Sequence, residues 1–515
     1  MAPPRNHATF LRDLGFRDLD RIVADGSSRL MLSRLLACAC TLLMLLAGPA
    51  DAQEQALRAP IGGETEAFTR KAAALMESHA EGGVFSGAVI VARDGIPLFR
   101  RAYGLADREW AVPNTPDTLF RIGSITKQFT AAAILKLAEA GSLSLDDPAI
   151  RYLPELPPAW APMTIRMLLN HSSGLPNVTA LPGYATQLGR IERSPMETVA
   201  LLHNEDLLFP PGTGHEYSNT GYILLAGLIE RVTGQTFARY LTDTVLAPAG
   251  LGATRDADPG AIIPRRATGY RREAGEWRQA LPLAASAPSG AGMLASTLDD
   301  LVAWDRALFS GRILSDESRR AMVTDYGHGY GLGWYIGTAY GRRLWSHGGF
   351  ISGFSAIKDS YPDLGLTIVV LGNTEIVPAQ ALSRELAALY LGQPARTEIS
   401  VGRTVLDRYV GFYRTGPRSV LGITRDGDRL IAQGLGQGSG EPRVSLTPES
   451  DRAFVARDFV GQDGTIRVAF DIEPDGRPTG VMIHRDGIER AGPRIDRAIA
   501  RRVTARRFTR LPSGR

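Results

Sequence analysis

Gly123-Ser124-Ile125-Thr126-Lys127 opens the segment whose reading decides the fold of this chain. Phe129, Ala131, Ala132, Ala133, Ile134, Leu135, Leu137 and Ala138 follow, apolar on nearly every face of a helix until Gly141 offers a cap. A helix apolar all round belongs in the middle of a domain. Ser124 and Lys127 stand three apart and share a face, so the amine can reach the hydroxyl, and the helix N-terminus brings positive potential to the same point. A free lysine, with a pKa of about 10.4, is a poor base at neutrality and must be desolvated or placed beside another cation to serve as one. Taken alone, the pair reads more readily as an ordinary helix start, a Ser cap followed by a surface Lys.

Working outward, residues 64–79 carry Phe68, Ala72, Leu75 and Met76 at helical spacing. Two strand-like runs, 88–91 and 96–101, then flank Asp94-Gly95, a hairpin signal. Helical segments occupy much of 164–310, and strand signals return at 330–336, 344–347, 353–358 and 366–371. The fold class is therefore α+β: one antiparallel sheet made from both ends of a domain over 64–395, with helices inserted between. Pro394 and Arg396-Thr397-Glu398 mark a boundary. Beyond it, strand-like runs are punctuated by Asp426-Gly427, Asp463-Gly464, Asp475-Gly476 and Asp486-Gly487, which predicts a C-terminal antiparallel β-barrel module over 396–495.

A chain of 515 residues is too long for one ordinary domain, and its 44% apolar and 22% charged content excludes a wholly disordered or polytopic membrane protein. Net charge is only +4. The arginines from Arg494 to Arg515 read as a solvated basic tail over 496–515, so no nucleic-acid partner is expected. Cys38 and Cys40 are the only cysteines, which excludes a disulfide, a cysteine metal site or a thiol nucleophile in the folded part.

Both lie in a basic, then apolar, then Ala50-Asp51-Ala52 arrangement over 31–52 that reads as a secretory signal, so the protein is expected to be exported to the periplasm or beyond. Residues 1–30 read as an over-extended start and 53–63 as a linker. Any membrane attachment would come through an uncleaved signal or lipidation, since the apolar run is shorter than the roughly 20 residues a span needs.

Two further motifs carry chemistry. Tyr217-Ser218-Asn219 follows the Pro210-Pro211-Gly212 loop and precedes an apolar helix over 222–232. There a phenol can lodge between Ser124 and Lys127, and an amide can meet the lysine or a substrate amide. A core Tyr with a turn Asn fits the local pattern as well. Trp345-Ser346-His347-Gly348-Gly349-Phe350 lies on a predicted strand. Its glycines leave the backbone open to a ligand, and the N–H of Phe350 could join that of Ser124 as an oxyanion hole.

With Leu168-Leu169-Asn170-His171-Ser172-Ser173-Gly174-Leu175-Pro176 between the first two, these three motifs resemble the superfamily of class C β-lactamases, D-amino-acid peptidases and related penicillin-binding proteins and esterases. The resemblance covers roughly residues 65–390. It implies a β-lactamase-like catalytic domain in which a helical insert faces the sheet across a cleft. It implies that Ser124 is acylated, that Lys127 and Tyr217 manage its proton, and that Asn219, Gly349 and Phe350 bind substrate.

One departure stands out. Efficient β-lactamases of this type carry Lys-Thr-Gly where this chain has His347-Gly348-Gly349, and His347 is assigned a catalytic part like that of the His-x-Gly members acting on D-amino-acid peptides or amides. A histidine, mostly neutral above pH 6.5, supplies less fixed charge. Weak β-lactamase activity at most is therefore expected. The C-terminal module, with Tyr409-Val410-Gly411-Phe412-Tyr413, resembles the lipocalin-like appendages of such peptidases.

The expected ligand is a small molecule or short peptide, no cofactor or metal is called for, and the oligomeric state stays open. A carboxylesterase of the same superfamily and a non-turnover β-lactam or muropeptide sensor are the competing readings. An α/β-hydrolase is excluded by the lack of G-x-S-x-G, and a zinc hydrolase by the lack of H-E-x-x-H. Substrate choice is left to cleft loops near 176–190 and 284–292.

Overall fold

The computed structural model describes residues 62–393, except Ala274 and Ala285, and residues 401–504, except 417–418, 437–443, 457–465 and 486–487. The signal sequence with Cys38 and Cys40, the boundary near 396, and the turns at Asp463-Gly464 and Asp486-Gly487 lie outside the described residues.

Helix α1 (Gly62–Glu81) buries Phe68, Ala72 and Met76, whose spacing of four puts them on one face. Strands β1 (Gly87–Arg93) and β2 (Ile96–Tyr103) form the expected antiparallel hairpin. The helical insert contains α2 (Thr126–Glu139), α3 (Asn219–Thr233) and α4 (Leu298–Phe309). It is followed by β3 (Tyr335–Ala339), β4 (Arg342–Ile351), β5 (Phe354–Tyr361), β6 (Leu366–Gly372) and α5 (Ala379–Tyr390). These make one six-stranded antiparallel sheet in the order β3-β4-β5-β6-β1-β2. Its first and last segments meet where Gly87 pairs with Gly372, so the sheet is indeed built from both ends of the domain.

Alternation along β1 splits the core in two. Ala88, Ile90 and Ala92 face the helical insert, in one apolar cluster with Phe129, Ile134, Leu301 and Trp304. Val89 and Val91 face the other way, clustered with Phe68 and Met76 of α1 and Leu382 and Leu386 of α5. Each fully buried Val, Leu or Ile contributes about 1.5 to 3 kcal/mol. Because both faces are covered, β1 reads as a continuous apolar run.

Helix α2 is buried from Thr126 to Leu135, as its all-round apolar pattern predicts. Two of its polar residues bond to neighbouring elements: Thr130 Oγ1 donates to the Gly290 carbonyl at 2.7 Å, and Gln128 Oε1 accepts from Trp304 Nε1 at 3.1 Å. On β5, neighbouring residues point to opposite faces. Lys358 pairs with Asp305 of α4 on one side, and Asp359 accepts from Ser346, Ser383 and Arg384 on the other.

Two expectations need correction. The strand read over 330–336 begins only at Tyr335. Gly331 N donates to the Trp334 carbonyl at 2.8 Å and Ile336 N to the Gly329 carbonyl at 2.7 Å, closing a tight loop that carries Tyr330 inward. The basic stretch from 496 is likewise more than a solvated tail, since Arg497–Thr504 forms a helix, α7 below, with Ala500 buried.

The C-terminal module is a closed antiparallel barrel preceded by α6 (Arg403–Tyr409). Its strands are β7 (Gly411–Arg414), β8 (Ser419–Asp426), β9 (Arg429–Gly436), β10 (Val444–Pro448), β11 (Ala453–Ala456), β12 (Ile466–Ile472), β13 (Pro478–Arg485) and β14 (Ile488–Ile495), with α7 (Arg497–Thr504) after them. Pairing of Phe412 with Ile495 and Tyr413 with Arg494 closes it. Closure removes the exposed edges an open sheet would have. Inside, Phe470 stacks on Tyr409 with ring centroids 4.0 Å apart and meets Tyr413 and Phe454 edge-on. Asp475-Gly476 falls between strands as read from the sequence, and the turn expected at Asp426-Gly427 is made by Gly427-Asp428, since Asp426 still pairs with Arg429.

Candidate active site

Ser124 is delivered by a strand that stops short. Phe120–Arg121 pairs with Leu294–Ser296, and the N–H of Ile122 donates to the Leu294 carbonyl at 3.0 Å. The chain then turns through Gly123, at φ 50°, into a short 3-10 turn that runs into α2. A side chain at Gly123 would be strained by that φ, and its Cβ would fall 2.9 Å from the backbone nitrogen of Phe350. Across the contact, a Cβ on Gly349 would fall 1.9 Å from the Ile122 carbonyl oxygen. The two glycines let the serine turn lie directly against β4. Ser124 is 5% exposed at this seam.

Lys127, one turn along, is fully buried. Its Nζ lies 3.1 Å from Ser124 Oγ, 2.8 Å from Asn219 Oδ1 and 2.9 Å from the carbonyl oxygen of Ala291. It also sits 4.8 Å from the ring centroid of Tyr217 and 5.4 Å from that of Tyr222. Such close aromatic faces suit a cation that has left water.

Asn219 is oriented by its own neighbours. Its N–H donates to Asn177 Oδ1 at 3.3 Å and its Nδ2 to Thr179 Oγ1 at 3.2 Å, which leaves Oδ1 for the lysine. Ser218 Oγ and Thr220 Oγ1 donate to the Pro176 carbonyl at 3.2 and 2.6 Å, tying the Tyr217-Ser218-Asn219 turn to the stretch ending Gly174-Leu175-Pro176. His171 lies beneath this turn. Its Nδ1 accepts from Ser218 N–H at 3.2 Å, and its ring centroid is 4.3 Å from that of Tyr217. Burial, with smaller contributions from His215, Lys127 and His347, holds its pKa well below the usual imidazole range.

His347 is also fully buried. Its Nδ1 lies 2.7 Å from the Gly348 carbonyl oxygen, which can only accept, so Nδ1 carries the proton. Nε2 lies 3.0 Å from the Tyr330 hydroxyl. The imidazole is 6.3 Å, centroid to centroid, from Tyr217 and 5.1 Å from Tyr335. It forms part of an aromatic wall, with both nitrogens engaged.

Arg121, on the strand leading to Ser124, is buried, and its Nε and Nη2 have no hydrogen-bond partner among the described residues. Burial lowers its pKa to about 10, partly offset by Asp256. Burial also pushes the Asp256 carboxyl up to about 6, with Asp258 adding to the rise and Arg121 opposing it.

All seven residues singled out from the sequence thus cluster: Ser124, Asn219 and Tyr217 about Nζ of Lys127, Gly349 and Phe350 against the serine turn, and His347 beside Tyr217. Sequence reasoning missed Ala291, Tyr330, Asn177 and Thr179, and gave His171 no part. Ala291 falls in the 284–292 loop already tied to substrate choice, and His171 in the quoted 168–176 stretch. Tyr330 carries no signal, because the strand-like composition of 330–336 hides its loop.

The chain belongs to the beta-lactamase family: the family model described as Beta-lactamase matches residues 68–392. It is a serine hydrolase of that family, with a C-terminal β-barrel added. Penicillin-binding protein 4* of Bacillus subtilis (strain 168) is 29% identical over 447 residues, covering 81% of this chain and 96% of that protein. The D-aminopeptidase of Gluconobacter oxydans (strain 621H) is 30% identical over 343 residues, 63% of this chain and 64% of that one. Esterase EstB of Burkholderia gladioli is 41% identical over 180 residues, 32% of this chain and 45% of the esterase. Among solved structures, the octameric penicillin-binding protein homologue from Pyrococcus abyssi superposes with a TM-score of 0.59 at 26% identity, covering 84% of this chain and 99% of that one.

Proposed function

We propose that this protein hydrolyses amide bonds of D-amino-acid-containing or cell-wall-derived peptides through an acyl-enzyme on Ser124. The observation that carries the mechanism is the set of three oxygens around Lys127 Nζ: Ser124 Oγ, Asn219 Oδ1 and the Ala291 carbonyl. The last two can only accept. A neutral amine has two N–H bonds and one lone pair, so it satisfies both acceptors and turns its lone pair to the serine hydroxyl. An ammonium satisfies the same three oxygens by donating to all of them. The surroundings therefore suit both protonation states, as a group that takes and returns a proton requires.

In acylation Ser124 Oγ attacks the carbonyl carbon, its proton passes to Lys127 or Tyr217, and the oxyanion is held by the backbone N–H groups of Ser124 and Phe350. Support for Phe350 is the 2.9 Å separation of its nitrogen from the Cβ position of Gly123. Return of that proton to the departing amine releases the first product, and water then hydrolyses the ester.

The amide preference rests on two supports, the D-aminopeptidase likeness and a histidine, His347, where strong β-lactamases carry a charged lysine. Ester cleavage is the second reading, favoured by the 41% identity to Esterase EstB. The test is a panel of D-aminoacyl p-nitroanilides, D-Ala-D-Ala peptides, p-nitrophenyl esters and nitrocefin, offered to the purified protein. Faster turnover of D-aminoacyl amides than of esters supports the proposal, ester preference replaces it, and a lasting adduct without product release makes the protein a sensor. We also propose export, on the signal-like stretch at 31–52.

A further inference from the structure

His171 occupies an unusual backbone conformation for a residue with a side chain, at φ 62°, inside the core at 1% exposure. That conformation is strained and persists only where the surroundings over-determine it. Here the surroundings include Tyr217 and the turn that carries it. The imidazole packs against Tyr217 at 4.3 Å, Tyr330 at 4.7 Å and Tyr222 at 5.3 Å between ring centroids, with His215 edge-on at 6.1 Å. Nδ1 accepts the N–H of Ser218, the residue joining Tyr217 to Asn219.

We propose that His171 is a positioning residue that fixes the phenol of Tyr217 and the amide of Asn219 together, through the peptide N–H between them. One acceptor at Ser218 locks the backbone from which both side chains depart, and the ring face gives the phenol a wall. The part requires a neutral ring with Nδ1 unprotonated, because an imidazolium would present a donor to the Ser218 N–H. His171 is thus the Nε2–H tautomer, opposite to His347. Burial disfavours a charge on it, as do His215, Lys127 and His347, the possible cations that face it beside the three tyrosines.

This inference rests on reading Tyr217 as a proton carrier, so Tyr217→Phe is assayed beside His171→Asn and His171→Gln. Rates of p-nitrophenyl butyrate hydrolysis are expressed per serine titrated with a fluorophosphonate, so unfolded protein does not count. The His171 variants are expected to lose about tenfold or more in kcat, with KM changed less than about threefold. The alkaline limb of their kcat/KM profile is expected to move by about half a pH unit or more, which simple loss of stability would not produce. Unchanged kcat and profile in folded His171 variants, with Tyr217→Phe inactive, overturn this inference alone. Full activity of Tyr217→Phe overturns the mechanism beneath it. Should neither His171 variant fold, 15N spectra of the unmodified protein with labelled imidazoles decide. A ring that stays neutral with unprotonated Nδ1 down to pH 5 supports the assignment, and lack of such a ring overturns it.

Discussion

The Cβ position of Gly349 lies 1.9 Å from the carbonyl oxygen of Ile122, inside any tolerable contact. Gly349→Ala must therefore push β4 away from the serine turn, or the turn away from β4. We expect acylation to fall at least about a hundredfold, with stability lower by about 1 to 3 kcal/mol. Stopped-flow acylation and urea denaturation read the two effects separately. A variant acylated at the parental rate would show that the contact has no part in catalysis.

Ser124→Ala removes an atom whose hydrogen bond in the structure is to Lys127. Turnover should vanish while the unfolding midpoint moves little, because a hydroxyl at a seam is no packing element. Residual hydrolysis above about one part in a thousand of the parental rate would point to a second nucleophile.

Asn219→Ala takes away one of the two acceptors that can only receive from Lys127. Acylation should slow by about ten to a hundredfold. Asn219→Asp should do more harm at neutral pH, since a carboxylate beside the amine favours its charged, proton-donating form. Single-turnover rates compared at pH 6 and pH 9 distinguish the two: the Asp variant should recover more at the higher pH.

Asp256, its carboxyl pushed up to about 6 by burial, binds its proton more readily folded than unfolded. The sign follows directly: its contribution to stability is fullest below the unfolded carboxylate range, falls as pH rises to about 6, and stays lost above it. Asp256→Asn should therefore stabilise the protein at pH 7.5 by about 1 to 2 kcal/mol, discounted for partial exposure, and change little at pH 4. Urea midpoints at pH 4, 5, 6 and 7.5 test it, and a flat difference across that range would contradict the burial argument.

Much of this was legible in the residues. The all-apolar run after Lys127 announced a central helix, because only a helix buried on every side has such a pattern. Asp-Gly turns announced the barrel, since that dipeptide suits the tight turn between paired strands. Three short motifs announced the cluster around Ser124. What stayed hidden depended on tertiary contact. Ala291 takes part through a backbone oxygen, which every residue owns, so its side chain carried no sign of it. Tyr330 sits in a run whose β-like composition masked a loop. The tautomer of His347 followed from a neighbouring carbonyl, which no sequence pattern encodes.

The nucleophile and its amine are rooted in the helical insert, whereas Phe350 rides on the sheet, and one apolar cluster, reaching from Ala88 and Ile90 of the sheet to Phe129 and Trp304 of the insert, joins the two. Catalytic competence therefore gauges how faithfully that shared cement keeps the two slabs aligned. On warming or in mild urea, activity should fade while far-ultraviolet dichroism still looks native, because slippage by a fraction of an ångström separates reacting atoms long before either slab melts.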